Sequence, residues 1–214
     1  MNAEEFAQFL RTHPQFFDQH PELLESISVP HPYGGRAIAL AERQTITLRE
    51  KVKLLEGKLG ELIQFGEEND AISEKVHRLA VALVGARDFP QLTRALYLHL
   101  GEDFAVPHLA LRVWGKSVPV DFVESNAVTQ AQREHADAMG APQCAAIADN
   151  PYLEWFGEAA AHLRSMALVP LGQPAVFGLL VLGSEDPERF FPEMGTIYLR
   201  RIGELCAAAV AARL

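Results

Sequence analysis

The fifty or so residues from Ser165 to Leu214 constrain this chain more than any others. Ser165–Leu171 (SMALVPL) and Phe177–Gly183 (FGLLVLG) are short apolar runs, and their closeness in sequence predicts the two strands of an antiparallel hairpin. Apolar residues at helical spacing then recur from Phe190 to Leu214, predicting an amphipathic helix that packs on the hairpin. A sheet-plus-helix unit of this kind can hold a ligand or build a dimer.

The rest of the sheet is expected upstream. Leu109–Trp114 alternates, with Leu109, Leu111 and Val113 on one face and Ala110, Arg112 and Trp114 on the other. Val118–Val123 is expected to pair with it across Gly115-Lys116-Ser117. Residues 125–140 read as a helix or long connection, Gln143–Ala148 as a short strand, and Pro151–Phe156 as a turn of helix. Ahead of these, Phe89–Leu100 carries Leu92, Leu96 and Leu100 on one helical face, with Pro90 in its first turn. Helices, strands, an irregular middle, strands and a last helix make an α+β fold with a mainly antiparallel sheet.

Residues 36–69 have a different pattern. Leu48, Val52, Leu55, Leu59 and Leu62 recur at alternating spacings of four and three, forming one seam of a long helix. Val52 and Leu59 take a positions and Leu48, Leu55 and Leu62 take d, a choice that favours a parallel dimer, and Lys51 at g would face Glu56 at e of the partner. The same stripe would also serve a helix lying on its own domain. Gly57 and Gly60 fall off the seam, so this helix depends on packing for its stability. Asn69 and Asp70 mark a break or a polar layer before a second apolar stretch with Ile72, Val76, Leu79 and Leu83, and Gly85 offers a stop. Residues 1–35 form a helical cap in which Phe6, Phe9 and Leu10 share a face, while Pro14, Pro21, Pro30 and Pro32 divide the remainder into short segments.

Charge and cysteine content narrow the function. Nineteen Lys and Arg against 28 Asp and Glu give a net charge of -9, which disfavours a nucleic-acid surface spread over the molecule. The segment 36–58 is locally basic, with Arg36, Arg43, Arg49, Lys51, Lys53 and Lys58 against Glu42, Glu50 and Glu56; on a dimeric helix it could touch nucleic acid or an acidic protein face, but mixed charge of this sort is more commonly the pattern of a solvated helix. Cys144 and Cys206 are too few for a disulfide framework and suit a reducing cytoplasm. The opening MNAEEFAQFL carries acids where a signal peptide carries bases, and no apolar run approaches the roughly 18 residues of a membrane span, so a soluble intracellular protein is expected.

Several motifs identify a family. Phe9-Leu10 with His13-Pro14-Gln15-Phe16-Phe17, His20-Pro21-Glu22-Leu23-Leu24, Pro30-His31 and Glu42-Arg43-Gln44 open the chain; Ser165–Leu171, Gly178–Asp186 and Arg189–Thr196 close it. Both sets resemble the bacterial family named domain of unknown function four-eight-four. The family is uncharacterised, and the resemblance implies a GAF-like, cytoplasmic, dimeric protein. The chain then divides into a cap over 1–35, a linker or dimerisation helix over 36–69, and a GAF-like domain over 70–214. Relatives with GAF domains bind cyclic nucleotides, tetrapyrroles, haem or small metabolites, and many serve only as dimerisation modules. Around Cys144 a Cys-Gly pair is expected from the family, and Cys144-Ala145 stands instead.

Each candidate site has an ordinary structural alternative. A pocket between the sheet and residues 125–160 would be lined by Arg112, Trp114, Phe122, Cys144, Trp155 and Met166, apolar and aromatic walls with few polar anchors. Its ligand and any cofactor are unknown from sequence, and each of these residues would equally suit a core. His13, His20 and His31 lack a cysteine nearby to complete a common zinc set, and turn or capping roles account for them. Cys144 with His135 or His162 lacks an identifiable orienting group and oxyanion donor, so no enzyme is expected. Gly183-Ser184-Glu185-Asp186 lacks P-loop spacing and reads as a turn, with Asp186 satisfying backbone donors or pairing with Arg189. The expectation is a homodimer that binds a small molecule and acts through a partner protein, or a ligand-free scaffold of the same build.

Overall fold

The computed structural model describes residues 2–29, 38–115, 121–147, 150–172 and 174–214. It divides into two compact units, Met1–Glu67 and Glu68–Leu214. The fold is α+β with a four-stranded antiparallel sheet, as the sequence leads one to expect.

In the first unit, helix α1 (Ala3–Thr12) starts at a capping box: the Glu5 amide donates to Asn2 Oδ1 at 2.8 Å and the Asn2 amide donates to Glu5 Oε2 at 2.8 Å. Two short helices come next, α2 (Phe16–Gln19) and α3 (Pro21–Ser26), the latter with proline at its first position, where a missing N–H is harmless. Aromatic rings join the segments: His13 stacks on Phe9 at 4.4 Å, Phe16 meets Phe9 edge-on at 5.8 Å, and His20 tilts against Phe16 at 5.1 Å. A two-residue ladder pairs β1 (Ser28–Val29) with β2 (Ile38–Ala39). His31 lies outside the described residues.

Helix α4 runs from Leu40 to Gly85. The break suggested by Asn69 and Asp70 does not occur: both lie inside the helix, because a polar residue at a seam position loses packing but keeps its backbone hydrogen bonds. Gly85 is the last helical residue, in keeping with its expected role as a stop.

In the second unit α5 spans Phe89–Glu102, capped by Asp88, whose Oδ1 accepts from the Gln91 amide at 2.8 Å. The sheet comprises β3 (His108–Val113), β4 (Gln143–Ala146), β5 (Ser165–Leu171) and β6 (Gly178–Ser184), in spatial order β3-β6-β5-β4. The closing hairpin forms as read, with Val169 opposite Leu180. Gly172 turns it at φ 98°, and a Cβ there would come within 2.6 Å of the Ala175 carbonyl. Pro170, lacking an N–H, is tolerated in β5 because β4 pairs only with Ser165–Leu168.

Two details depart from the sequence reading and a third sharpens it. The first half of the strand expected at Val118–Val123 lies outside the described residues, and Val123 itself opens a 3-10 turn, Val123–Ser125; the described ladder of β3 is to β6 instead. The middle resolves into α6 (Gln130–Ala138), which has its own capping box between Thr129 and Gln132, and a 3-10 stretch Leu153–Ala161 kinked at Gly157. The last helix, α7 (Ile197–Ala211), starts later than Phe190, since Pro192 interrupts helical hydrogen bonding; Phe190 becomes a buried plug instead.

Two cores flank the sheet. One holds Leu79, Leu83, Leu92, Leu96, Leu111, Val169, Leu180, Ile202 and Cys206, joining α4, α5 and α7 to one face. The other holds Ala110, Ala136, Met139, Tyr152, Leu163, Met166, Leu168 and Val181 on the opposite face. α7 approaches β5 so closely that a Cβ on Gly203 would sit 2.6 Å from Val169 Cγ1. The Arg213 guanidinium donates to the carbonyls of Leu83 (3.0 Å) and Ala86, satisfying acceptors left open at the end of α4. Among the described residues, no helix is long and apolar enough to cross a membrane.

Candidate functional site

The face of the sheet covered by α6 and Leu153–Ala161 collects four of the expected ligand-site residues. Strand alternation puts Arg112 of β3, and Trp114 just past its end, on the Ala110 side, and Met166 of β5 belongs to the same core. Trp155 reaches them from the 3-10 stretch: the Arg112 guanidinium carbon lies 5.3 Å from its ring centroid. Trp114 donates its indole N–H to the Val176 carbonyl at 3.0 Å. Met166 is fully buried.

Polar residues missed from sequence organise this face. Tyr152 is fully buried and donates its hydroxyl to the Gln132 carbonyl at 3.0 Å, with His135 Nδ1 at 2.9 Å. Burial pushes the Tyr152 phenol up to about 12, so it stays a neutral donor. Gln132 Nε2 donates to the Pro151 carbonyl at 2.8 Å and to Glu154 Oε1 at 2.7 Å, tying α6 to the segment after it. At the edge of β3, Tyr97 donates to Glu124 Oε1 at 2.8 Å, and both burial and the Glu124 charge raise the Tyr97 phenol far above its ordinary value. Single polar residues such as Glu124 and Tyr152 have no periodicity, so no sequence signal marks them.

Two guanidinium groups stand out here. Arg112 is 6% exposed; one of its nitrogens, Nη1, donates to the Leu111 carbonyl at 2.8 Å, yet Nε is buried without a partner. Desolvation lowers its pKa, opposed by the Tyr97 and Glu124 groups. Arg133 of α6 also buries an Nε without a partner, and its side chain lines a crevice of about 160 Å³ with Trp114, Gly115 and Asn126. Orphaned buried N–H donors beside aromatic rings suit an acceptor-bearing ligand.

Phe122 and Cys144 are not part of this group. Phe122 packs 5.4 Å from Phe89, and Cys144, opposite Ala167 in the ladder, joins the helix-covered core on the other face. Burial raises the Cys144 thiol pKa, which disfavours the thiolate, and His135 is engaged with Tyr152 across the sheet. His13 Nδ1 lies 3.1 Å from the Phe9 carbonyl and His20 Nδ1 3.3 Å from Glu22 Oε1; no group of metal-ligating residues gathers among the described residues. Asp186 accepts from the Glu188 amide at 2.9 Å, while the Arg189 side chain goes to the Phe104 carbonyl rather than to Asp186.

The seam of the first unit is on view. Leu48, Val52, Leu55, Leu59 and Leu62 are 51–66% exposed. Ile63 and Phe65, at the flanking e and g positions, are similarly exposed and widen the apolar strip, a feature the five-residue seam did not include.

Over residues 1–213 the chain matches the model of a family described as "Protein of unknown function, DUF484". The chain belongs to the DUF484 family. A relative described as "Uncharacterized protein YigA", from Salmonella typhimurium, is 24% identical over 200 residues, covering 91% of this chain and 84% of that protein. DUF484 membership thus extends across both units.

Proposed function

We propose that this DUF484 protein is a cytoplasmic, non-catalytic homodimer whose GAF-like body binds a small molecule and signals through a partner protein. The observation that carries the reading is the open seam from Leu48 to Leu62. Five large apolar side chains in heptad register, each more than half exposed, form a strip that a second copy would cover by knobs-into-holes packing. Charge supports that occupant, since Lys51 would face Glu56 of the second copy. The buried Arg112 Nε, the Arg133 Nε and the Trp114 and Trp155 rings support an anionic ligand on the second unit. Bound ligand would shift the balance between two packings of the helix pair, and the partner protein would read that balance.

Size-exclusion chromatography with light scattering at micromolar protein tests the reading: twice the chain mass is expected, and a monomer would refute the coupling. Native mass spectrometry after gentle purification tests the ligand. A reproducible small adduct is expected, and it should be lost in Arg112→Met. A second reading, a ligand-free dimerisation scaffold, is favoured by the complete burial of Tyr152, Leu163 and Met166, which fill the face opposite α5 and α7. A clean mass from every preparation would select it.

A further inference from the structure

On the helix-covered side of the second unit lies a separate cavity of about 500 Å³, within the roughly 300–1,000 Å³ range of small-molecule sites. Leu100, Val106, Leu182, Leu199 and Ile202 line it, all no more than 5% exposed. The chain makes a tight bend at Ala105, with φ of 52°, between two lining residues, Phe104 and Val106. Tyr198, also at the wall, bonds through its hydroxyl to the Asn69 carbonyl at 3.0 Å and to Ser73 Oγ at 3.2 Å, holding α7 to α4 beside the opening.

The charge on this cavity is one-sided. Its lining includes Lys75 and Arg189 and no carboxylate, in a chain with 28 acidic against 19 basic residues. Lys75, half-buried, has no ion-pair or hydrogen-bond partner among the described residues. Arg189 donates Nη2 to the Phe104 carbonyl at 2.6 Å and lies 5.9 Å from the Phe190 ring centroid, which fixes its guanidinium at the cavity while other N–H donors remain for a ligand. An apolar chamber with two cations on its lining matches a molecule that has a hydrocarbon body and one negative end.

We propose that this cavity binds a medium-chain carboxylate, the hydrocarbon chain against Leu100, Leu182 and Ile202 and the carboxylate on Lys75 and Arg189. The site is independent of the Arg112 face, which lies across the sheet. Calorimetric titration of the full chain with octanoate and with 1-octanol tests it. Octanoate should bind one per chain and at least about tenfold more tightly than octanol, because only the acid engages the two cations. Affinity along hexanoate, heptanoate and octanoate should rise by up to about fourfold per methylene as the walls fill.

Lys75→Gln combined with Arg189→Gln should bring octanoate down to the affinity of octanol. Met194→Trp, at the half-buried wall, should reduce binding of both probes while the thermal transition is retained. The proposal is overturned if octanoate fails to bind at millimolar concentration, if octanol binds equally well, or if the charge-neutralised or Met194→Trp protein binds octanoate like the parent.

Discussion

Leu55 and Leu83 occupy the same heptad position on the same helix, yet Leu55 is 64% exposed and Leu83 1%. Val76, a d position in the same register, is 9% exposed because the core of the second unit surrounds it. Apolar spacing thus specifies a stripe without specifying its cover. In the second unit α5 and α7 supply the cover from distant sequence; in the first unit the stripe from Leu48 to Leu62 is exposed.

The sharpest way to break the contrast is to charge the exposed stretch. Leu55→Lys with Leu62→Lys should shift the proposed dimer to monomer, raising its dissociation constant about 100-fold or more by putting charge in an apolar seam. Light scattering over a concentration series reads this, and circular dichroism should show the sheet intact. Leu83→Ala acts on the other stretch and should lower the unfolding free energy in urea by about 3 kcal/mol, as expected for a cavity in a packed core. The same exchange at Leu55 should leave the intrinsic stability of the monomer within about 0.5 kcal/mol.

Smaller changes sharpen the comparison. A Cβ at Gly57 or Gly60 meets nothing within 4 Å, so alanine at either should stabilise the exposed stretch by about 1 kcal/mol, seen as a rise in helicity and thermal midpoint. The smallest effect concerns acid. Asp103 accepts from His99 Nδ1 at 2.7 Å and from Arg78 Nη2 at 3.1 Å, and these bonds hold its carboxyl below the usual range. Protonation therefore favours the unfolded chain: the stabilisation is present at neutral pH and is lost as pH falls through the lowered pKa. Asp103→Asn should flatten that part of the stability profile, below the ordinary carboxylate range of about pH 4, without altering the proposed dimer.

Much of the architecture was legible because it rests on local pattern. Both strands of the closing hairpin lie where their apolar runs lie, and Gly85 ends α4 as its chemistry suggests. What escaped depends on partners far away in sequence. Cys144 faces the helices because β4 pairs with β5 so that Cys144 meets Ala167, a register that no short window contains. Arg189 turned from Asp186 to the Phe104 carbonyl, an acceptor brought near only by folding. Arg112, Trp114, Trp155 and Met166 share one face of the sheet, as a common lining would require, whereas Tyr152, Gln132 and Glu124 are solitary polar residues that no periodicity marks.

The strand order has a kinetic consequence. Among the described residues β3 pairs only with β6, His108 with Gly183 and Val113 with Gly178. On the described ladders a nascent chain leaving the ribosome therefore carries β3 as an unmatched ribbon until β6 emerges, whereas β4 can pair as soon as β5 is out. Completion of the sheet is late, so a ribosome stalled before residue 178 would hold an apolar edge that chaperones recognise.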